Sequence, residues 1–251
     1  VISEFEETFN AFWNTNFHDN KMEKVEDFIT YQFGNKRIWL IPYSLLSCKP
    51  PANSQDIFIY EDQWNNKQNL VKSRVLSIGG KTKRINARSC SASKIDIPTV
   101  KSFLNNNHLL EYCQTKTALG LYHNQNLVAV AAFSHYRVMN DGPVPYRSYE
   151  LLRFASLENI TVIGGLSKLI KHFCNLKHPA HLMTYTDNNW GETNSYFGIG
   201  FNKKENTKPI HFYINPTNHK RKYRIPKIDL DSYLIGLNRG NSKWILDLRQ
   251  Y

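Results

Sequence analysis

Apolar residues recur along this chain at helical and strand spacings, in an order that already predicts an architecture. Near the start, Phe5, Phe9, Phe12 and Trp13 fall on one face of a helix, and the surrounding pattern predicts helix over residues 3–31. Tyr31–Phe33 and Arg37–Pro42 read as a strand pair turning at Gly34-Asn35. Pro50-Pro51 breaks the chain, Asp56–Tyr60 is a short strand, and Gln63–Leu76 is a helix ended by Gly79-Gly80. The rhythm then changes. Arg84–Ser93 alternates like a strand, and Ile97–Asn107 is a helix whose Pro98 suits its first turn. Ala118–His123 and Leu127–Arg137 flank Asn124-Gln125-Asn126, a hairpin signal. Ser148–Leu157 is a strand, Ser167–Leu176 a helix, His181–Thr186 a strand, Thr193–Phe197 a short helix and Ile210–Ile214 a strand. The order β-α-β-β-β-α-β-α-β predicts a mixed α/β fold.

Composition narrows the class. With 41% hydrophobic and 21% charged residues over 251 positions, the chain is neither disordered, collagenous nor a coiled coil. Its apolar runs, Ile38–Tyr43 and Leu127–Phe133, fall far short of the ~20 residues that span a bilayer. The opening residues lack the basic-then-apolar layout of a signal peptide. The expectation is a soluble protein of the bacterial cytoplasm with no membrane partner. Cys48, Cys90, Cys113 and Cys174 lie far apart with no CxxC pair, so they read as free thiols and no metal is expected.

The formal charge of +11 is segregated. Residues 1–30 carry seven acids and two lysines, residues 67–101 nine bases and one acid, and residues 202–227 eight bases and one acid. Two basic blocks suggest a polyanionic partner, here DNA, gripped through its phosphates. In the second block Tyr213 lies near Lys220, Arg221, Lys222 and Arg224, a mixture suited to phosphates and unstacked bases. The alternative is a solvated basic surface.

Candidate chemistry concentrates between residues 149 and 201. Tyr149–Phe173 reads as a strand, a loop containing Gly164-Gly165, and a helix with Lys168 in its first turn. Amides at such a helix start form an anion site, and glycine lets a pyrophosphate approach the backbone. Residues 182–201 read LMTYTDNNWGETNSYFGIGF. This stretch resembles the last block of the Gcn5-related N-acetyltransferase fold, in which an Asn and a Tyr precede Gly-Phe and a final strand. The resemblance covers roughly Arg84–Ile214 and implies an acetyltransferase-like mixed sheet with a smaller α/β platform before it. It implies that Ile163, Gly164, Gly165, Ser167 and Lys168, with Asn194, hold the anionic part of acyl-CoA or another activated acyl or aminoacyl donor. It also implies that Tyr196 protonates the departing thiolate. The glycines here are adjacent, where that family's loop spaces them.

The segments FIYEDQWNNKQNLVKSRV, RINARSC, FLNNNHL, ELLRF and TVIGGLSKLIKHF are further similar to a phage-encoded, homing-endonuclease-like family. Its members join such a domain to a very-short-patch-repair-like nuclease half. The order ELxR, small-residue helix, Tyr-x-Asp, Tyr-x-x-x-Gly-Phe is similar to Mom-type DNA-modification proteins, which attach an acyl-derived group to adenine. Upstream of Asp56 only His18-Asp19 suggests a metal-binding pair, so residues 1–80 read as a remodelled platform retaining Glu61-Asp62. The expected domains are therefore 1–80, 84–225 and a C-terminal extension at 226–251.

Within this frame, Glu150 is a general base for an attacking amine, or else pairs with Arg153. Asp187 ends a strand where open α/β sheets place function, or else caps the Trp190–Phe197 helix. His135, at a strand end, is an acid/base candidate, and His108 contacts substrate or caps its helix. Trp190 stacks a base or fills the core, and Arg153 joins the nucleic-acid contacts. The function expected is transfer of an acyl or amino-acid-derived group to a DNA base. The alternatives are a homing-endonuclease-derived DNA-binding protein or nuclease, and a generic N-acetyltransferase.

Overall fold

The computed structural model describes residues 2–17, 22–192, 195–225 and 227–249. In chain order its elements are α1 (Glu4–Asn16), β1 (Met22–Val25), β2 (Phe28–Phe33), β3 (Lys36–Ile41), β4 (Ile57–Tyr60), α2 (Glu61–Ile78), β5 (Lys83–Asn86), β6 (Ser91–Lys94) and α3 (Ile97–Asn107). There follow β7 (Thr117–His123), β8 (Asn126–Phe133), β9 (Arg137–Met139), β10 (Tyr146–Ser156), β11 (Ile160–Ile163), α4 (Gly165–Lys177) and β12 (His181–Asp187). The last strands are β13 (Asn202–Asn206), β14 (His211–Ile214), β15 (Arg221–Lys222), β16 (Leu234–Leu237) and β17 (Asn241–Asp247). No described helix is long and apolar enough to cross a membrane.

The described residues form two compact units. One draws on 1–72, 186–194 and 206–242, the other on 73–185, 195–205 and 243–251. These units divide the chain elsewhere than at 80 and 225. The reason is visible in β14, whose Phe212 and Ile214 are fully buried in one core with Trp39, Phe58 and Tyr60.

In the first unit, α1 starts on a capping box. Ser3 Oγ accepts from Glu6 N–H, and Glu6 Oε2 accepts from Ser3 N–H at 2.7 Å. Its apolar face buries Phe5, Phe9 and Trp13 against Tyr31 and Trp64. Burying each such ring contributes about 1.5–3 kcal/mol. The helix stops at Asn16 instead of running to residue 31, because FITYQF favours a pleated strand and becomes β2. The β2–β3 hairpin turns at Gly34, whose φ of +58° suits glycine. The sheet order is β1-β2-β3-β4, antiparallel except for the parallel pair β3–β4, and β15-β14-β16 form a second antiparallel sheet.

The second unit is built on a mixed sheet of order β13-β17-β12-β10-β8-β7-β6, with β9 beside β10. Alternation along β7 and β8 assigns the two faces. Ala118, Val130 and Ala132 pack with Val100 and Leu104 of α3, while Leu119, Leu121, Ala129, Ala131 and Phe133 pack with Leu169 and Phe173 of α4. Two strand readings are corrected. Arg84–Ser93 divides into β5 and β6 because Asn86 caps a 3-10 turn at Ala87–Ser89, and β8 ends at Phe133 rather than Arg137. The stretch expected as a C-terminal extension supplies β17, which lies inside the sheet between β12 and β13.

Candidate active site

The sheet opens at one point. β10 pairs in parallel with β12 only over Ser148–Leu151 against His181–Thr184, after which the two strands no longer pair with each other. On its other side β10 pairs with β8, and the register shifts between Leu151 and Arg153. Such a bulge redirects side chains and ends local pairing, and it recurs beside active sites. Thr184 Oγ1 donates to Leu151 O at 2.9 Å where the strands part.

Glu150 stands at this point. Its neighbours Tyr149 and Leu151 are buried while Glu150 is half-buried, as strand alternation dictates. Among the described residues its carboxylate makes no hydrogen bond or ion pair. Burial pushes its pKa up, opposed by the positive charges of Arg137 and Arg153. The alternative of an ion pair with Arg153 is corrected: the guanidinium donates from Nε to Glu111 O at 3.2 Å and from Nη1 to Leu152 O at 2.8 Å. The Ser134 side chain accepts from Glu150 N–H at 2.9 Å, and Ser134 N–H donates to Glu150 O at 2.9 Å. This brings His135 within one residue of the site, exposed, stacked on Tyr136 and bonded through Nδ1 to Tyr136 O at 2.8 Å.

Tyr196 immediately precedes the 3-10 turn Phe197–Ile199. It packs on Phe201 and stacks on Trp244. Burial raises its pKa, and a hydrogen bond with the Thr184 side chain lowers it. The phenol is thus tied to the parting of β10 and β12. Of the short helix read at Thr193–Phe197, residues 193 and 194 lie outside the described residues, and so does Asn194.

The anion loop takes the expected form with one correction. Gly164 is the N-cap of α4 in a left-handed conformation, φ 73°, a geometry glycine adopts without strain. Lys168 N–H makes the first intrahelical bond, to Gly164 O at 3.0 Å, so the amides of Gly165, Leu166 and Ser167 precede it. Ile163, Gly164 and Ser167 are exposed. Lys168 is not presented to a ligand, because Nζ donates to Ala87 O at 2.9 Å and also to Cys90 O. From Ser167 a groove of about 560 Å³ runs along α4 past Ile170, Lys171 and Cys174, with Gly200, Lys204 and Leu246 opposite. Ser167, Ile170, Lys171 and Cys174 follow i, i+3, i+4, i+7 spacing, the signal by which the wall was open to detection. Lys204 and Thr184 had no such local signal.

Asp187 belongs to the first unit. Its Oδ1 accepts from Asn189 N–H at 2.9 Å and caps a 3-10 turn at Asn188–Trp190, not a helix at 190–197. Two expected nucleic-acid contacts are buried instead. Trp190 is 5% exposed and offers no face to a base. Arg221 forms a bidentate pair with Asp62, at 2.9 and 2.7 Å, beneath the ring of Phe212 at 3.7 Å. Lys220, Lys222 and Arg224 remain exposed, and Tyr213 is half-buried. Of the retained acidic pair, Glu61 accepts from Tyr43 N–H at 2.8 Å while Asp62 holds Arg221. No group of three or more His, Cys, Asp or Glu among the described residues could hold a metal, and His18-Asp19 lie outside those residues. His108 caps α3 through its backbone; its Nδ1 accepts from Leu110 N–H at 3.1 Å, and burial followed by Arg153 and Arg74 pushes its pKa down to about 3.

No protein-family model and no curated protein matches the chain. Among solved structures it is similar to a ribosomal-protein-S18-alanine N-acetyltransferase from Escherichia coli, at 15% identity and a TM-score of 0.38 over 63% of this chain and 94% of that one. It is similar to an IAA acetyltransferase from Bacillus cereus at 15% identity and a TM-score of 0.41, covering 64% of this chain and 100% of that one. A third similar structure is a GNAT family acetyltransferase from Elizabethkingia anophelis with acetyl-CoA bound, at 13% identity and a TM-score of 0.39 over 64% and 99% of the two chains. The class, mixed α/β on a mixed sheet, is set by this chain's own strand order.

Proposed function

We propose that this chain transfers an acyl group from an activated donor, acyl-CoA or another acyl or aminoacyl thioester, to an amine. The observation that carries this reading is the parting of β10 and β12 just beyond Leu151 and Thr184, with Glu150 in the strand and the Tyr196 phenol tied to it through Thr184. The donor's anionic end fits the exposed start of α4, where glycine leaves the backbone bare, and the groove beyond it carries Lys171 and Lys204. Its volume is in the range of small-ligand sites.

The chemistry balances with the residues present. Glu150, made more basic by burial, takes a proton from the attacking nitrogen. The nitrogen–carbon bond forms at the thioester carbonyl as the carbon–sulfur bond breaks. Tyr196 gives its proton to the leaving sulfur, and burial keeps that proton on the phenol until then. Thr184 positions the phenol.

The test is thiol release from acetyl-CoA in the presence of a panel of primary amines. Amine-dependent release is expected, reduced about tenfold in Tyr196→Phe, the low end for loss of one proton donor. No release with any amine, together with no binding of acetyl-CoA, would overturn the reading.

The finer reading, a base of DNA as the acceptor, is favoured by the exposed cations Lys220, Lys222 and Arg224. It predicts a nucleoside of raised mass in DNA from cells expressing the protein. Unmodified DNA alongside acetylated small amines would favour the generic acceptor.

A further inference from the structure

A second cluster of titratable groups lies in the first unit and has no part in acyl transfer. Tyr43 and His219 are 176 positions apart in sequence, yet the Tyr43 hydroxyl is 2.7 Å from His219 Nδ1. Their rings are stacked nearly parallel, 6° apart in plane. Asn65 Nδ2 also reaches the Tyr43 hydroxyl, and Glu61 accepts the Tyr43 amide.

The backbone holds His219 where it would not otherwise sit. Its φ is +56°, in the left-handed region that costs a non-glycine residue about 1 kcal/mol or more. The strain is over-determined by its surroundings. His219 N–H donates to Asn215 O at 2.8 Å, and Asn66 Nδ2 donates to His219 O at 2.6 Å. Asn215 Oδ1 accepts from Thr217 and Asn218 amides, and Asn218 Oδ1 from Lys220 N–H. A loop bound this thoroughly, around a strained histidine, fixes one ring orientation.

That orientation has a chemical result. The hydrogen bond with the Tyr43 hydroxyl occupies Nδ1 and leaves Nε2 for another partner. In a histidine, the proton on one ring nitrogen is set by the hydrogen bond the other makes. Nε2 makes no hydrogen bond among the described residues, and His219 is half-buried. The group presented is an imidazole held in one orientation by Tyr43. Immediately after it in sequence come Lys220, Lys222 and Arg224, all exposed. Where the chain is extended, alternate residues share one side at a spacing of about 7 Å. Between Lys220 and Lys222, Arg221 turns inward to the buried Asp62.

We propose that His219, oriented by Tyr43 and followed by Lys220, Lys222 and Arg224, is a phosphodiester-binding site for a nucleic-acid strand. Fixed donors contact phosphate oxygens and set the strand's register, while the lysines and arginine supply the salt-sensitive attraction. The site deepens the nucleic-acid reading of the acceptor, but it needs no donor and no transfer to operate.

The test is fluorescence anisotropy of the full chain with a labelled DNA single strand, its duplex and an RNA of the same sequence, between about 50 and about 200 mM salt. His219→Asn is the chosen variant, since asparagine tolerates the left-handed backbone but is too short to replace the imidazole. It should weaken binding about tenfold or more, the effect of losing a hydrogen bond to a charged group. Tyr43→Phe should weaken binding less, because the ring remains and only its tautomer is released. Lys220→Ala should lower the slope of log affinity against log salt by about 0.9 on the duplex and about 0.7 on the single strands, a readout that a purely structural role would not move. DNA and RNA binding alike would identify the phosphodiester as the feature read, and a preference for one would name the source. The proposal is overturned if the wild type binds no strand, or if His219→Asn and Lys220→Ala both bind all three as the wild type does. Glu150→Gln should bind strands normally, so failed transfer and failed binding are distinguishable.

Discussion

Two buried aspartates of the first unit and one glutamate of the second are held in opposite ways. In the first, Asp56 and Asp62 are 3% and 2% exposed and hydrogen-bonded to fixed donors. Asp56 accepts from Arg37 N–H, Trp39 Nε1 and Asn53 N–H, at 2.9, 3.0 and 3.1 Å, and Asp62 holds Arg221 through two bonds. In the second, Glu150 is half-buried between Arg137 and Arg153, and its carboxylate takes neither as a partner. The contrast separates an acid that holds a fold together from one available to react. A buried carboxylate already bonded to fixed donors is a poor acceptor for a substrate's proton, whereas one desolvated without a partner is both more basic and open.

The largest test of this contrast is Asp62→Ala. It leaves the buried Arg221 guanidinium uncompensated and should cost about 3–5 kcal/mol of stability in chemical denaturation. Replacing both partners together, Asp62→Leu with Arg221→Met, should recover most of that loss. A small effect of Asp62→Ala would erase the distinction from the first unit's side.

Glu150→Gln tests the other side. It should leave the denaturation midpoint near that of the wild type and slow transfer by about 10²-fold, near 2.7 kcal/mol of barrier. Because burial raises the Glu150 pKa, activity should rise with pH through a midpoint above the ordinary carboxylate range near 4.3. Stability loss in place of rate loss would make Glu150 another structural acid.

A smaller effect concerns His108, whose folded pKa is near 3 against about 6.5 when unfolded. The unfolded state binds the proton more readily between those values, so stability falls as pH drops from about 6.5 towards 3. His108→Gln should flatten that part of the stability profile, measured by denaturant titration at successive pH values.

What the sequence revealed and what it concealed follow a physical line. α3, the β7–β8 hairpin and the β2–β3 turn were legible because local periodicity and turn residues specify them. So were the strands Ser148–Leu157 and His181–Thr186, found as β10 and β12, and the glycine start of α4, whereas β1, β9 and β11 were not. Arg221 was read as a phosphate contact because a run of cations looks uniformly solvated. Its partner Asp62 lies 159 positions away, and no local pattern reports it. Trp190 was ambiguous for the same reason, since burial is decided by distant packing. The Tyr43–His219 pair escaped notice because it joins positions from opposite ends of the chain, and a left-handed histidine leaves no mark in composition.

The place of β17 has a bearing on how the protein is made. β13 leaves a ribosome well before residues 241–247 do, and the whole of 207–240 intervenes. Until β17 arrives, β13 has no neighbour in the sheet and β12 keeps a bare hydrogen-bonding edge. Closing the sheet therefore waits on a long-range insertion, the kind of contact that slows folding. During that interval the β12 edge is open to other nascent chains, which makes synthesis the stage at which this protein is most exposed to misassembly.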